Sequence, residues 1–268
     1  MKNLFILIAL LLFSSLSAQE KIHYVLISTN VGNMKIQLYN ETPRHRDHFL
    51  SLVRKGYFDG TLFTRVVKGF IIQGGSQDSK NAAKGERIGF GSKTMMIDAE
   101  DLPDIFPKKG ALCAPRQPVN VNPKKRSDGS QFFIVQGRVF RPTELDTLEM
   151  AKNNPIKNRA MDKLYTPIKK EMDSLRTANP SQFNERARWL RNAVDSILIE
   201  TPGSLHFLPE ERKAYTTVGG APSLRGDYGI FGEVIEGLEV IDKIANQKAD
   251  AYERPLTDIK MSVRIVTE

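Results

Sequence analysis

Two segments hold the side chains best able to do chemistry. Residues 63–75 contain Arg65, Phe70 and Gln73, and residues 129–135 contain Gln131 and Phe133. Each is a β-type apolar run interrupted by a polar side chain that strand alternation aims at the same face as an aromatic. Together they predict an apolar pocket holding one guanidinium and two amides. Neither segment offers a nucleophile–base pair or a metal-ligand grouping. A site of that make-up suits a reaction in which no covalent bond is made or broken.

Rotation about a peptide–proline bond is such a reaction. Amide resonance opposes it with a barrier of roughly 18–20 kcal/mol, and the spontaneous event takes tens of seconds or longer. Shortening that to milliseconds is a factor of about 10⁴, or about 5.5 kcal/mol. A guanidinium donating to the developing lone pair on the prolyl nitrogen, or holding the proline carbonyl, contributes about 1.5–3 kcal/mol. An apolar recess strengthens that bond by lowering the local dielectric, and it favours the less polar twisted amide. Arg65 suits the task better than a lysine because its planar fork can reach two acceptors. The amides of Gln73 and Gln131 would hold the flanking peptide, so that the twist occurs about one bond.

The elements that must position these residues are short and β-rich. Residues 22–28 and 34–39 read as a hairpin across Asn30, Gly32 and Asn33. Thr42 and Pro43 open a helix that Gly56 closes, with Phe49, Leu50 and Val53 on its buried stripe. Further strands are expected over 63–67, 70–73, 94–97, 111–114 and 131–136. Short strands punctuated by Gly and Pro predict a mainly β fold, closed or sandwiched. From about 142 to 214 the period changes to 3.6. Met161, Leu164, Ile168 and Met172 mark one helical stripe, and Phe183, Leu190, Val194 and Ile197 a second, joined near residues 177–179 as an inserted helical hairpin. Pro167 should kink or restart the first stripe. A strand over 229–235, a helix over 238–245 and a strand over 259–266 complete the chain. Insertion into a surface loop costs little, because closure entropy grows only with the logarithm of length.

Composition bounds the rest. The chain has 268 residues, 40% hydrophobic and 26% charged, with a net charge of +8. Its basic residues are scattered among Asp and Glu, without the aromatic-interleaved stripe of a nucleic-acid binder. Lys2, the apolar residues 4–13 and the small residues ending at Ala18 have the form of a secretory signal peptide, giving a mature chain of 19–268. The apolar run is too short to span a bilayer, and no cysteine follows to take a lipid. An exported protein, periplasmic or secreted, is therefore expected, with no membrane insertion after cleavage. The single cysteine, Cys113, allows no internal disulfide and reads as a small buried hydrophobe. His45 and His48, spaced i, i+3, have no third ligand and are expected on a solvated helix face. Gly74 and Gly75 lack the Lys-Ser/Thr pair of a phosphate cradle. Neither metal nor cofactor is expected, and the residues set no oligomeric state.

Residues 63–75 and 129–134 resemble the two signature blocks of the cyclophilin-type peptidyl-prolyl isomerases, and residues 224–234 resemble that family's late active-site loop and following strand. The resemblance covers about 25–138 and 218–266. It implies an eight-stranded antiparallel β-barrel closed by two helices, here interrupted by the helical insertion. Carried over position by position, Arg65 matches the catalytic arginine, and Gln73 and Gln131 match the polar positions. Phe70, Ile71, Phe133 and Leu224 match the wall of the proline pocket, with Ile71 replacing a common Met. Tyr228 falls where the family often has His or Tyr. Pro115, Arg116 and Gln117 match the segment that contacts substrate backbone, although Pro115 departs from the usual Ala and lacks an N–H. Ser223 stands where many eukaryotic members have Trp, which implies weak cyclosporin binding. Lys124, Lys125 and Arg126 lie in a longer loop and read as solvated basic residues, the alternative being a charge that steers acidic client segments toward the pocket.

The resemblance implies an isomerase for proline-containing segments of exported proteins. The alternative is a binding or chaperone module on the same fold, gripping proline peptides with little turnover.

Overall fold

The computed structural model of the chain describes residues 21–100 and 102–267. The expected signal peptide, residues 1–18, lies outside the described residues. The described residues divide into two compact units, those up to 137 together with those from 221 onward, and residues 138–220.

The first unit begins with the hairpin β1 (His23–Thr29) and β2 (Gly32–Leu38), followed by α1 (Pro43–Arg54). Next come β3 (Phe63–Val67), β4 (Ile71–Gly74), β5 (Met96–Ile97), β6 (Ala111–Cys113), β7 (Ser127–Asp128) and β8 (Phe132–Val135). Beyond the insertion, β9 (Ile230–Glu236) leads into a helix at Leu238–Ala245 and the last strand, β10 (Met261–Val266). Eight strands form one antiparallel sheet in the order β10-β1-β2-β9-β6-β8-β4-β3. The sheet curls until its ends meet, where Leu62 bridges Lys260 and the Phe63 N–H donates to the Ile259 carbonyl at 3.0 Å. β5 and β7 pair separately as a two-stranded ribbon.

Strand alternation sets two faces. Val25, Ile27, Met34, Ile36, Val66, Ile72, Leu112, Phe132 and Ile134 point inward and form the core with residues of the two helices, including Phe49, Leu50, Ile241 and Ile244. Phe132 stands edge-on to Phe58 and Phe49, with centroids 5.6 and 5.8 Å away. Edge-to-face pairs of this kind add about 0.5–1.5 kcal/mol beyond burial. The opposite face carries a second cluster that includes Ile71, Cys113, Phe133, Leu224 and Ile230.

A bulge in β3 decides where Arg65 points. Phe63 is opposite Gly74, yet Arg65 is opposite Gln73, so Thr64 is the extra residue. Simple alternation would put Phe63 and Arg65 on one face. The bulge breaks that rule: Phe63 enters the core and Arg65 faces out.

Most expected elements occur, with shifted ends. The strand expected over 70–73 starts at Ile71, because Gly69 (φ +76°) makes a turn in which the Phe70 N–H donates to the Val67 carbonyl. Thr42 precedes α1 but gives no side-chain cap. Its place is taken by the Glu100 carboxylate, which accepts the N–H groups of Arg44 and His45, both at 3.0 Å.

The second unit is helical: α2 (Pro142–Tyr165), α3 (Lys169–Ala178), α4 (Pro180–Glu200) and α5 (Pro209–Thr217). The helix at Leu238–Ala245 is therefore α6. The expected hairpin is present as α3 and α4, joined at Asn179, whose side chain accepts from the Gln182 N–H. It is extended by two further helices. Pro167 interrupts the first stripe between α2 and α3, in a 3₁₀ turn at Thr166–Ile168. Leu145, Ala160, Met172, Leu190, Val194, Phe207 and Tyr215 are the unit's buried apolar side chains. Asn153 fastens residue 205 from both sides, donating to its carbonyl at 2.7 Å and accepting its N–H at 2.8 Å. Trp189 on α4 is 46% exposed, with the Arg186 guanidinium over its ring. No described helix is long and apolar enough to cross a membrane.

Candidate active site

The strand registers place five residues in a row across the outward face: Arg65, Gln73, Phe133, Cys113 and Ile230. Residues so paired lie on the same side of a sheet. Above this row is a cleft of about 210 Å³. Every residue assigned to the site from the sequence lines it: Arg65, Phe70, Ile71, Gln73, Pro115, Arg116, Gln117, Gln131, Phe133, Leu224 and Tyr228. Gly89, Phe90 and Asp128 complete the lining.

The apolar side is built around Phe133. Its ring meets Tyr228 edge-on at 5.3 Å, and the Arg116 guanidinium lies over the other aromatic at 5.1 Å. Arg116 is thereby committed. Its side chain also binds Asp227 at 2.9 Å and is 8% exposed, so it buttresses Tyr228 at the border of the cleft. Cys113, opposite Phe133 on the neighbouring strand, is buried. Burial pushes its thiol well above the usual range, which makes it a small hydrophobe, as its apolar surroundings in the sequence suggested.

The polar side is a chain of fixed amides. Asp128 accepts from the Ser130 N–H at 2.9 Å and from Gln131 Nε2 at 3.0 Å. With its NH₂ so engaged, Gln131 presents its oxygen to Gln73 Nε2 at 3.1 Å. One carboxylate thus sets the orientation of both amides. Gly91 (φ +69°) passes so close that a Cβ there would fall 1.9 Å from Asp128 Oδ2 and 2.6 Å from Gln131 Nε2. Asp128 is itself anchored by its N–H, which donates to the Pro115 carbonyl at 2.7 Å. Pro115 cannot donate, but it accepts.

Arg65 is paired with Glu253 through Nε. The two side chains are 40% and 44% exposed, so this is a surface pair, worth at most about 1 kcal/mol, and the guanidinium is not sealed in a buried bridge. Lys125 binds Asp227 at 3.2 Å and Arg126 binds Asp98 at 3.0 Å. Two of the three residues expected as solvated basic side chains are therefore ion-paired.

Neither histidine of the i, i+3 pair lies on a solvated helix face. His45 is 1% exposed, not solvated. Its Nδ1 lies 2.6 Å from Glu100 Oε2 and its Nε2 lies 2.9 Å from Ser127 Oγ. His48 Nε2 contacts the Gly129 carbonyl at 3.1 Å. The reason is tertiary: the helix face that looked free is covered by residues 95–100 and 127–129. Ser127 is also 1% exposed, so the Glu–His–Ser connectivity has no room for a substrate and serves as a brace for Asp128. Burial acts to raise the Glu100 carboxyl, but the bonds from His45 and from the Arg44 and His45 N–H groups outweigh it and hold Glu100 below the usual range.

Sequence reasoning missed Asp128, Glu253 and the Gly89–Phe90 edge. The loops that carry them have no periodicity. Only the neighbourhood of Asp128, three residues before Gln131, offered a signal.

Known proteins share the family and the fold of this chain. The family model "Cyclophilin type peptidyl-prolyl cis-trans isomerase/CLD" matches residues 24–166 and 213–265. A Staphylococcus aureus (strain COL) protein with a provisional peptidyl-prolyl cis-trans isomerase name is 27% identical over 236 residues, 88% of this chain and 87% of its own. A similar relative from Staphylococcus saprophyticus is 26% identical over 249 residues, covering 90% of this chain and 91% of its own. Among solved structures, a Cryptosporidium parvum cyclophilin-type isomerase is 21% identical and superposes with a TM-score of 0.52, covering 92% of this chain and 99% of that one. A second structure of that protein, in the presence of the dipeptide Ala-Pro, gives a TM-score of 0.50 at 21% identity, covering 91% and 99%. A curled eight-stranded antiparallel sheet, matched over most of its length by the family model, places the chain among the cyclophilin-type peptidyl-prolyl cis-trans isomerases.

Proposed function

We propose that this isomerase acts on X-Pro bonds of exported proteins, with Arg65 polarising the prolyl amide inside an apolar pocket. The observation that carries the reading is the row in which Arg65, Gln73 and Phe133 face one cleft. The proline ring packs on Phe133 with Phe70, Ile71 and Leu224 around it. The terminal nitrogens of Arg65 donate to the prolyl nitrogen as it pyramidalises or to the proline carbonyl. Gln73 and Gln131 hold the peptide that precedes the twisting bond, and residues 115–117 hold what lies beyond the pocket. The solved cyclophilin studied with Ala-Pro supports a proline-containing ligand class. Export is supported by the cationic, apolar and small-residue order of residues 1–18.

A second reading, proline-peptide binding with little turnover, is favoured by Pro115, which removes a backbone donor from the cleft edge. A protease-free isomerisation assay on a proline tetrapeptide separates the two. Wild type faster than buffer, with most of the rate lost in Arg65→Ala, supports the first; wild type no faster than buffer supports the second.

A further inference from the structure

We infer that Glu253 is a positioning residue that fixes the Arg65 guanidinium for the isomerisation step. The inference rests on the proposed role of Arg65. Glu253 belongs to the loop that follows α6 and approaches β3 from its open edge. Its carboxylate takes the Arg65 Nε–H, and its own carbonyl accepts the Val66 N–H at 2.8 Å. Main chain and side chain therefore clamp two successive residues of the same strand. With Nε engaged, the free edge of the guanidinium is its terminal nitrogens, the fork suited to a carbonyl or a prolyl nitrogen.

The loop is built to hold that pose. Glu253 sits at φ +65°, in the left-handed region that an L side chain with a Cβ adopts at a cost. Its N–H donates to the Asp250 carbonyl at 3.0 Å, and Asp250 Oδ1 accepts the N–H groups of Tyr252 and Arg254 at 2.8 and 3.0 Å. Arg254 is 3% exposed and donates to the carbonyls of Ala83 and Glu86 and to Asp258. A half-exposed ion pair contributes little to stability. A left-handed backbone at a residue whose carboxylate touches the proposed catalytic guanidinium points to function. A flexible arginine must otherwise be ordered in each encounter, whereas one already held loses less freedom.

The test uses Glu253→Ala, Glu253→Gln and Glu253→Gly beside Arg65→Ala and the Arg65→Ala/Glu253→Ala double variant, with kcat and KM measured separately in the protease-free assay. Glu253→Ala and Glu253→Gly should each lower kcat by about tenfold with KM within about twofold, because orientation acts mainly in the twisted state. Glu253→Gly should also raise Tm by relieving the left-handed strain, so that its loss of rate cannot be ascribed to misfolding. Glu253→Gln keeps an oxygen acceptor and should lose no more than about threefold. In the Arg65→Ala background, removing Glu253 should cost nothing further. Glu253→Ala as fast as or faster than wild type, with Arg65→Ala slow, overturns the positioning role alone. An equal loss in both backgrounds also overturns it, since Glu253 would then act independently of Arg65. Arg65→Ala as fast as wild type overturns both this inference and the mechanism beneath it.

Discussion

Phe132 and Phe133 are neighbours in β8, both nearly inaccessible to solvent, yet they belong to different parts of the molecule. Phe132 points inward to Phe49, Phe58 and Phe63. Phe133 points outward to Tyr228 and the cleft. The same division runs through β4, where Ile72 is core and Gln73 is site, and through β3, where Val66 is core and Arg65 is site. One curled sheet thus gives its inner face to stability and its outer face to chemistry. Burial alone does not separate the two roles; the face does.

Substitutions on the two faces should therefore fail differently. The largest effect is expected for Phe132→Ala, which removes a ring with aromatic neighbours on three sides and should cost about 3–5 kcal/mol in denaturant unfolding. Arg65→Ala should leave the unfolding midpoint nearly unchanged while lowering kcat/KM between about 10-fold and 150-fold, the equivalent of one charge-assisted bond. Phe133→Ala opens space beside a cleft that water can enter. Its stability loss should be about 1–2 kcal/mol, and its main signature a several-fold rise in KM for a proline peptide. If Phe133→Ala proves as destabilising as Phe132→Ala, the distinction between the faces fails.

The smallest effect concerns the brace behind Asp128. Glu100 is held below the usual carboxylate range, so its ionised form favours the folded state. The sign follows from linkage: that stabilisation is complete above the ordinary carboxylate pKa near 4.5 and is lost as pH falls through the lower folded value. Wild type should lose Tm between about pH 5 and 3 more steeply than Glu100→Gln. Parallel slopes for the two proteins would remove Glu100 as a source of acid sensitivity.

What was legible in the sequence was what strand and helix periodicity carries. Gln131 and Phe133 alternate in an apolar run, and the fold places both in the cleft. Arg65 was found through its neighbours, although alternation from Phe63 would have turned it into the core; the Thr64 bulge that turns it outward has no period of its own. Glu253 lies 188 residues from Arg65, and only chain closure at the sheet edge brings them together. His45 was misread because an amphipathic stripe describes a helix in isolation, whereas Glu100 and Ser127 reach it from two later loops. Pro167 interrupts its helix as expected, but Pro155 lies within the 24 residues of α2 without ending it.

The chain has one cysteine and one tryptophan, and they fall in different units: Cys113 in the β-sheet, Trp189 on α4. The native protein is thereby supplied with two unmixed reporters. Thiol-labelling agents can reach Cys113 only when the sheet opens, while indole fluorescence follows the helices. Unfolding the intact chain with both signals recorded tells, without any added probe, whether the two units let go together or in turn.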